Sequence, residues 1–198
     1  MNTYLPNTLT PVTPAAFYKA LFAAWVKANG SNPAPIKNAV LTVMAQSALE
    51  TGWWKYCHNF NFGNAKSVEG DNFDYTFFSC NEDLPIQLAL KLEAASTPEA
   101  PCKITQSYPQ ENLDTIWFYP DHPGCRFRAF ANITTGMEAY LAMLMKRFAK
   151  AWPAAEKGDP RGFVQALKAE GYFTAPLGPY ETSVVEIFEE LQKMTSLQ

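Results

Sequence analysis

Glu50 is the residue of this 198-residue sequence best placed to do chemistry. With Ile36 as zero on a helical wheel of about 100° per residue, Val40, Val43 and Ser47 fall within roughly 40° of it, and Glu50 about 40° to the other side. Glu50 therefore shares the inward face. Thr42, Ala45 and Leu49 occupy the opposite face, so the segment is apolar nearly all round, as in a helix that runs through a core. Burial and the negative end of the helix dipole both favour the protonated acid at such a position. An acid that keeps its proton can protonate a sugar oxygen as a glycosidic bond breaks. Trp53 and Trp54 follow directly, and Tyr56, Phe60 and Phe62 come soon after, offering flat faces on which sugar rings stack. Asn59, Asn61 and Asn64 add amide donors and acceptors suited to hydroxyl and acetamido groups. The same composition also describes an aromatic core with Asn-capped turns.

The elements that must position these residues are legible from caps and periodicity. Thr13-Pro14 opens a helix over residues 15–29, closed by Gly30, with Phe17, Leu21, Ala24 and Trp25 as its apolar stripe. Beyond Pro33 and Pro35 a second helix covers 36–51, and Gly52 can take the left-handed conformation that stops it. Residues 53–130 are rich in aromatics, Asn, Gly and Pro, with extended runs at 75–78, 103–105, 116–119 and 126–130 that predict a small antiparallel lobe. A helix at 85–95, carrying Ile86, Leu88, Leu90 and Leu92, interrupts it. Thr135-x-x-Glu138 reads as a capping box ahead of a helix over 139–149. Asp159-Pro160 opens a helix that ends at Gly171, and 179–194 forms the last. The pattern predicts one α+β domain over 1–198, mainly helical, with a β lobe at about 66–130 and a cleft between the two parts.

Composition narrows the functions. A net charge of −3, with sixteen scattered Lys and Arg residues, gives no footprint for nucleic acid. The apolar stretches fall short of the roughly 20 residues a membrane span needs. The opening Met1-Asn2-Thr3-Tyr4-Leu5-Pro6 lacks the basic start and apolar core of a secretory signal, so export by another route or removal of a leader is implied. Cys57, Cys80, Cys102 and Cys125 suit two disulfides, with three pairings open. No Cys-x-x-Cys occurs and His58 and His122 lie far apart, so neither a metal nor another cofactor is expected.

Ala45-Gln46-Ser47-Ala48-Leu49-Glu50-Thr51-Gly52-Trp53 resembles the catalytic-helix motif of family 73 glycoside hydrolases, with Thr51 in place of the usual Ser. Asn61-Phe62-Gly63-Asn64-Ala65-Lys66 is similar to the segment that follows in that family. Phe127-Arg128-Ala129-Phe130 with Gly136-Met137-Glu138-Ala139-Tyr140 resembles its next strand and helix. Gly171-Tyr172-Phe173-Thr174, with Tyr180 ahead, resembles the segment whose Tyr lies beside the acid. The resemblance implies a lysozyme-like fold and a monomer that cleaves β-1,4 bonds of the peptidoglycan glycan strand in the bacterial wall or periplasm, preferentially as an N-acetylglucosaminidase. It makes Glu50 the general acid and Tyr172 the cleft tyrosine, with Trp53, Asn61, Phe62, Gly63 and Asn64 as sugar contacts. Family members often carry a second carboxylate in the β lobe. Asp71, Asp74, Glu82 and Asp83 are candidates, and Glu82 stands just beyond the 75–80 run.

Other activities on the same substrate are a muramidase or a lytic transglycosylase, the latter with one acid/base. A different chemistry would be a Cys/His peptidase that cuts wall peptides through Cys57 with His58 or His122. A wall-binding module without catalysis is the non-enzymatic reading.

Overall fold

In a computed structural model, which describes residues 2–29 and 34–194, the chain divides into two compact units. One comprises Met1–Asn7 and Lys66–Ala129, the other Thr8–Ala65 and Phe130–Gln198. In chain order the elements are α1 (Pro14–Ala28), α2 (Lys37–Glu50), β1 (Tyr75–Phe77), β2 (Cys80–Pro85), α3 (Ile86–Ala94), β3 (Cys102–Tyr108), β4 (Leu113–Phe118), β5 (Arg126–Arg128), α4 (Ile133–Arg147), α5 (Trp152–Lys157), α6 (Pro160–Ala169) and α7 (Leu177–Lys193).

The helical unit is built around α2. Thr13 caps α1 by accepting from the Ala16 amide, and α1 buries Phe17, Leu21, Ala24 and Trp25, the stripe its periodicity predicts. Gly30 and Pro33, expected between α1 and α2, lie outside the described residues. In α2 the ten residues 39–48 are all buried, among α1, α5, α6 and α7. Each fully buried aliphatic side chain there contributes roughly 1.5–3 kcal/mol. Its buried hydroxyls are satisfied: Thr42 donates to the Asn38 carbonyl at 2.9 Å and Ser47 to the Phe62 carbonyl at 2.7 Å.

α4 starts earlier than the capping-box reading places it. The Asn132 side chain accepts from the Thr135 amide at 3.0 Å, so Asn132 is the cap and Thr135 lies inside the first turn. Asn caps at least as well as Thr. Glu138, freed from that role, meets Lys27 at 2.7 Å. Helix α5 goes unannounced in the sequence because no side chain caps its start; it is held by packing, with Trp152 4.4 Å from Trp25 between ring centres. Asp159 caps α6 as predicted, and Gly171 beyond it has φ +75°.

The sheet unit contains two antiparallel pieces, β1 with β5 and a three-stranded sheet ordered β2-β4-β3. Tyr4 adds a bridge to Tyr75. A small core of Cys102, Ile116, Phe118 and Cys125 lies here, joined by Phe77, Leu84, Leu92 and Ile104. Strand β2 is unexpected: its Cys-Asn-Glu-Asp-Leu-Pro sequence is poor in strand formers, and pairing with β4 overrides that preference. The expected helix forms as α3, with Leu92 against the small core. Leu88 and Leu90 are exposed and Ala89 is the buried residue.

All four cysteines are free thiols, so the expected two-disulfide framework is not formed. Cys57 belongs to the core of the helical unit and Cys102 to that of the sheet unit. No described helix is long and apolar enough to cross a membrane. Among the described residues no cluster of His, Cys, Asp and Glu could hold a metal ion.

Candidate active site

The C-terminal end of α2 is shaped by an unusual turn. Thr51 closes the helix, its amide donating to the Ser47 carbonyl at 3.1 Å and its hydroxyl to the same oxygen at 2.7 Å. Gly52, Trp53 and Trp54 then take φ +55°, +57° and +59°. For the two tryptophans this conformation costs roughly 1–2 kcal/mol each. It is held because the Trp53 amide reaches the Ala48 carbonyl at 2.7 Å and the Trp54 indole N–H reaches Ser47 Oγ at 3.1 Å. The Trp54 ring is fully buried and stacks on Phe17. The following chain returns beneath the helix end, where the Asn64 side-chain amide donates to the main-chain carbonyl of Glu50 at 2.7 Å.

Glu50 is half-buried. Its Oε1 accepts from the Tyr180 hydroxyl at 2.6 Å and from Gln46 Nε2 at 3.2 Å. Gln46 Nε2 also lies 3.2 Å from the Tyr180 oxygen, and the Tyr140 hydroxyl donates to Gln46 Oε1. A phenol donor on one end of the amide fixes the other end as the donor that faces Glu50. Phe173 stacks flat on Tyr180, ring centres 3.7 Å apart, which sets the phenol's position. Tyr172 donates to the Gly63 carbonyl at 3.0 Å and meets Phe148 edge-on. Burial pushes the Tyr172 and Tyr180 phenols well above the ordinary tyrosine range, and the Glu50 charge adds to this. Tyr140 is raised by burial and then by the charges of Tyr172 and Glu50. The three phenols therefore remain donors. Glu50 lines a pocket of about 380 Å³ with Leu49, Ala175, Pro176, Pro179, Tyr180 and Ser183.

The structure brings Glu50, Gly63, Asn64 and Tyr172 into one neighbourhood of the helical unit, but it turns several expected sugar contacts inward. Phe62 is fully buried, with its ring edge-on to Phe17. The Asn61 side chain is closed on Ala65, accepting from its amide at 2.8 Å and donating to its carbonyl at 3.0 Å. A Cβ at Gly63 would lie 2.9 Å from Met143 Cε and from Tyr140 Cδ2. These three residues hold the loop shape, whereas Trp53 is only partly buried. Glu82 is on β2 in the sheet unit, 3.4 Å from Lys66. Asp83 is bound by the Thr115 hydroxyl at 2.6 Å, Asp74 by the Thr3 amide, and Asp71 by Asn2, Ser67 and Arg128.

Cys57 does not suit a nucleophile's role. It is buried, and burial pushes its thiol up to about 11, against a weaker lowering by the Thr10 hydroxyl; a peptidase needs the thiolate. Sequence reasoning assigned no role to Gln46, Tyr140 or Tyr180. The first was within reach, because Gln46 stands one turn before Glu50 as a polar residue on a buried helix. The two tyrosines come from α4 and α7, and local periodicity says nothing of which distant phenol meets which carboxylate.

No protein-family model matches the chain, and no curated protein matches it. Among solved structures, a peptidoglycan hydrolase mutant from Sphingomonas sp. A1 is similar over 92% of this chain and 95% of that one, with 22% identity and a TM-score of 0.50. This chain shares that fold. A C-terminally truncated glycoside hydrolase domain from Salmonella typhimurium FlgJ is similar over 91% of this chain and 99% of that one, with 16% identity and a TM-score of 0.48. The fold shared with the Sphingomonas hydrolase is the mainly helical α+β architecture with small antiparallel sheets that the sequence predicts.

Proposed function

We propose that this protein is a glycosidase that cleaves β-1,4 bonds of the peptidoglycan glycan strand in the bacterial wall or periplasm, as a monomer, with Glu50 as general acid. The observation that carries the reading is the setting of Glu50. It ends a buried helix, one of its oxygens is gripped by Tyr180 and Gln46, and the residue lines a pocket. The pocket has the size of a small-molecule subsite. The fold of a protein named a peptidoglycan hydrolase supports the choice of substrate, and the family 73 resemblance favours N-acetylglucosaminidase activity. Tyr172 is read as a residue that positions the loop of Gly63 and Asn64 beside the acid. Glu82, ion-paired to Lys66, is retained as the second carboxylate to be tested.

The experiment is digestion of purified sacculi followed by mass spectrometry of the released fragments. Reducing N-acetylglucosamine ends are expected from the wild type and none from Glu50→Gln, a nearly isosteric change. Reducing N-acetylmuramic ends would assign a muramidase, and anhydro ends a transglycosylase. No release by well-folded wild type, or undiminished release by Glu50→Gln, overturns the proposal. Glu82→Gln separates a catalytic partner from a solvated acid by whether the rate falls.

A further inference from the structure

The sheet unit carries a second cluster of reactive groups that glycoside cleavage does not use. Cys80, at the start of β2, is part-exposed, and its Sγ lies 3.1 Å from Lys66 Nζ. It also lies 3.3 Å from the Gly124 carbonyl oxygen, to which Lys66 donates at 2.6 Å. Cys125, the residue after Gly124, is buried in the small core against which Cys80 packs. Backbone pairing fixes the approach, because the Phe78 amide donates to the Cys125 carbonyl at 3.3 Å and Phe77 pairs with Arg126 across β1 and β5. Lys66 is itself held over the Phe127 ring, 4.1 Å from its centre, and beside Glu82 at 3.4 Å.

The geometry points to a reversible dithiol–disulfide couple, with Cys80 as the attacking thiolate, Cys125 as the resolving thiol and small disulfides of the glutathione class as its redox partners. Such a couple needs an accessible sulfur stabilised as thiolate, a cation beside it and a second thiol within reach. The hydrogen bond from Cys125 brings Cys80 down to about 7, Lys66 adds to this, and burial opposes it. Donation to Cys80 raises Cys125 strongly, and burial and the Cys80 charge add to it.

In the first step the Cys80 thiolate attacks one sulfur of oxidised glutathione. A protein–glutathione S–S bond forms, the glutathione S–S bond breaks, and the departing thiolate takes a proton from water. Cys80 is then no longer charged, so the largest cause that holds the Cys125 proton is gone and burial alone opposes its loss. Cys125 loses its proton to solvent and attacks Cys80 Sγ, releasing the second glutathione. Two protein thiols are oxidised by two electrons, and one disulfide is reduced to two thiols. The new bond ties the three-stranded sheet, through β2, to the turn that leads into β5 of the two-stranded sheet.

The test is treatment of the full chain with oxidised glutathione, followed by alkylation of remaining thiols and peptide mapping. A Cys80–Cys125 crosslink is expected, with Cys57 and Cys102 still alkylated. In Cys125→Ser the reaction stops at glutathione bound to Cys80. In untreated protein Cys80 should alkylate roughly ten times faster than Cys102, and Lys66→Met should reduce that advantage. Glutathione retained on Cys80 of the wild type while Cys125 stays open to alkylation overturns the couple. So does a Cys80 that reacts no faster than Cys102. The wild-type map decides the matter even where a variant fails to fold.

Discussion

Tyr180 and Gln46 aim their donors at the same oxygen of Glu50, and under the proposed function these two bonds hold the carboxyl in place for proton delivery. Tyr180→Phe keeps the ring stacked on Phe173 and removes only the hydroxyl. A hydrogen bond to a charged group is worth about 1.5–3 kcal/mol, so kcat/KM on sacculi is expected to fall about ten- to a hundredfold while the melting temperature changes little. An unchanged rate would show that Glu50 needs no such support. Tyr172→Phe loses a bond to a main-chain carbonyl rather than to the acid, and a smaller loss of rate is expected. At this scale the sequence was legible where a position follows from one helix, as for the place of Glu50 at the end of buried α2. It was not legible where partners are remote, as for Tyr180, or where a residue suited to binding serves the interior, as for Phe62.

Helix α2 and the turn after it position the acid, and both depend on close packing of the loop at 59–65. Gly136, in the first turns of α4, sits where a Cβ would lie 2.3 Å from the Phe60 carbonyl oxygen and 2.8 Å from Phe60 Cβ. Backbone cannot yield as a side-chain tip can, so Gly136→Ala is expected to destabilise the helical unit by about 1–3 kcal/mol, measured by denaturant unfolding. Gly171 makes a useful contrast. A Cβ there meets nothing within 4 Å, but φ is +75°, and Gly171→Ala should cost roughly 1 kcal/mol through backbone strain alone. Equal stability of Gly136→Ala and wild type would remove the packing argument. Capped helices such as α1 and α6 are readable because a side chain marks where each begins. Strand β2 and helix α5 are not, since pairing and packing rather than local signals create them.

For the whole molecule the buried phenols set a limit on alkaline stability. Tyr140, Tyr172 and Tyr180 have folded-state pKa values raised above the unfolded value of about 10. The folded state therefore binds more protons above that pH, and the stability these residues contribute is complete below about 10 and is lost as pH rises from there. The melting temperature is expected to hold to about pH 9 and then fall, with a shallower decline in Tyr140→Phe. A flat profile beyond pH 10 would place those hydroxyls in water. The mainly helical α+β class was legible because helices at both ends flank a run of short strands. That Met1–Asn7 joins Lys66–Ala129 in the sheet unit was not legible, because no periodicity in seven residues says which distant strand they meet.

That Lys66–Ala129 of the sheet unit lies in sequence between the two parts of the helical one has a consequence for synthesis. α1 packs on α4, and α2 on α7, so the helices made first must wait for those made last. At about 5–20 residues per second, the interval between α2 and the end of α7 is on the order of ten seconds. Through it, Trp25 travels on the nascent chain without Trp152, the ring that will pack on it, while the sheet unit between can already pair its strands. A ribosome that paused within α5 would prolong that exposure, and a chaperone that holds apolar helices would be needed most at this point.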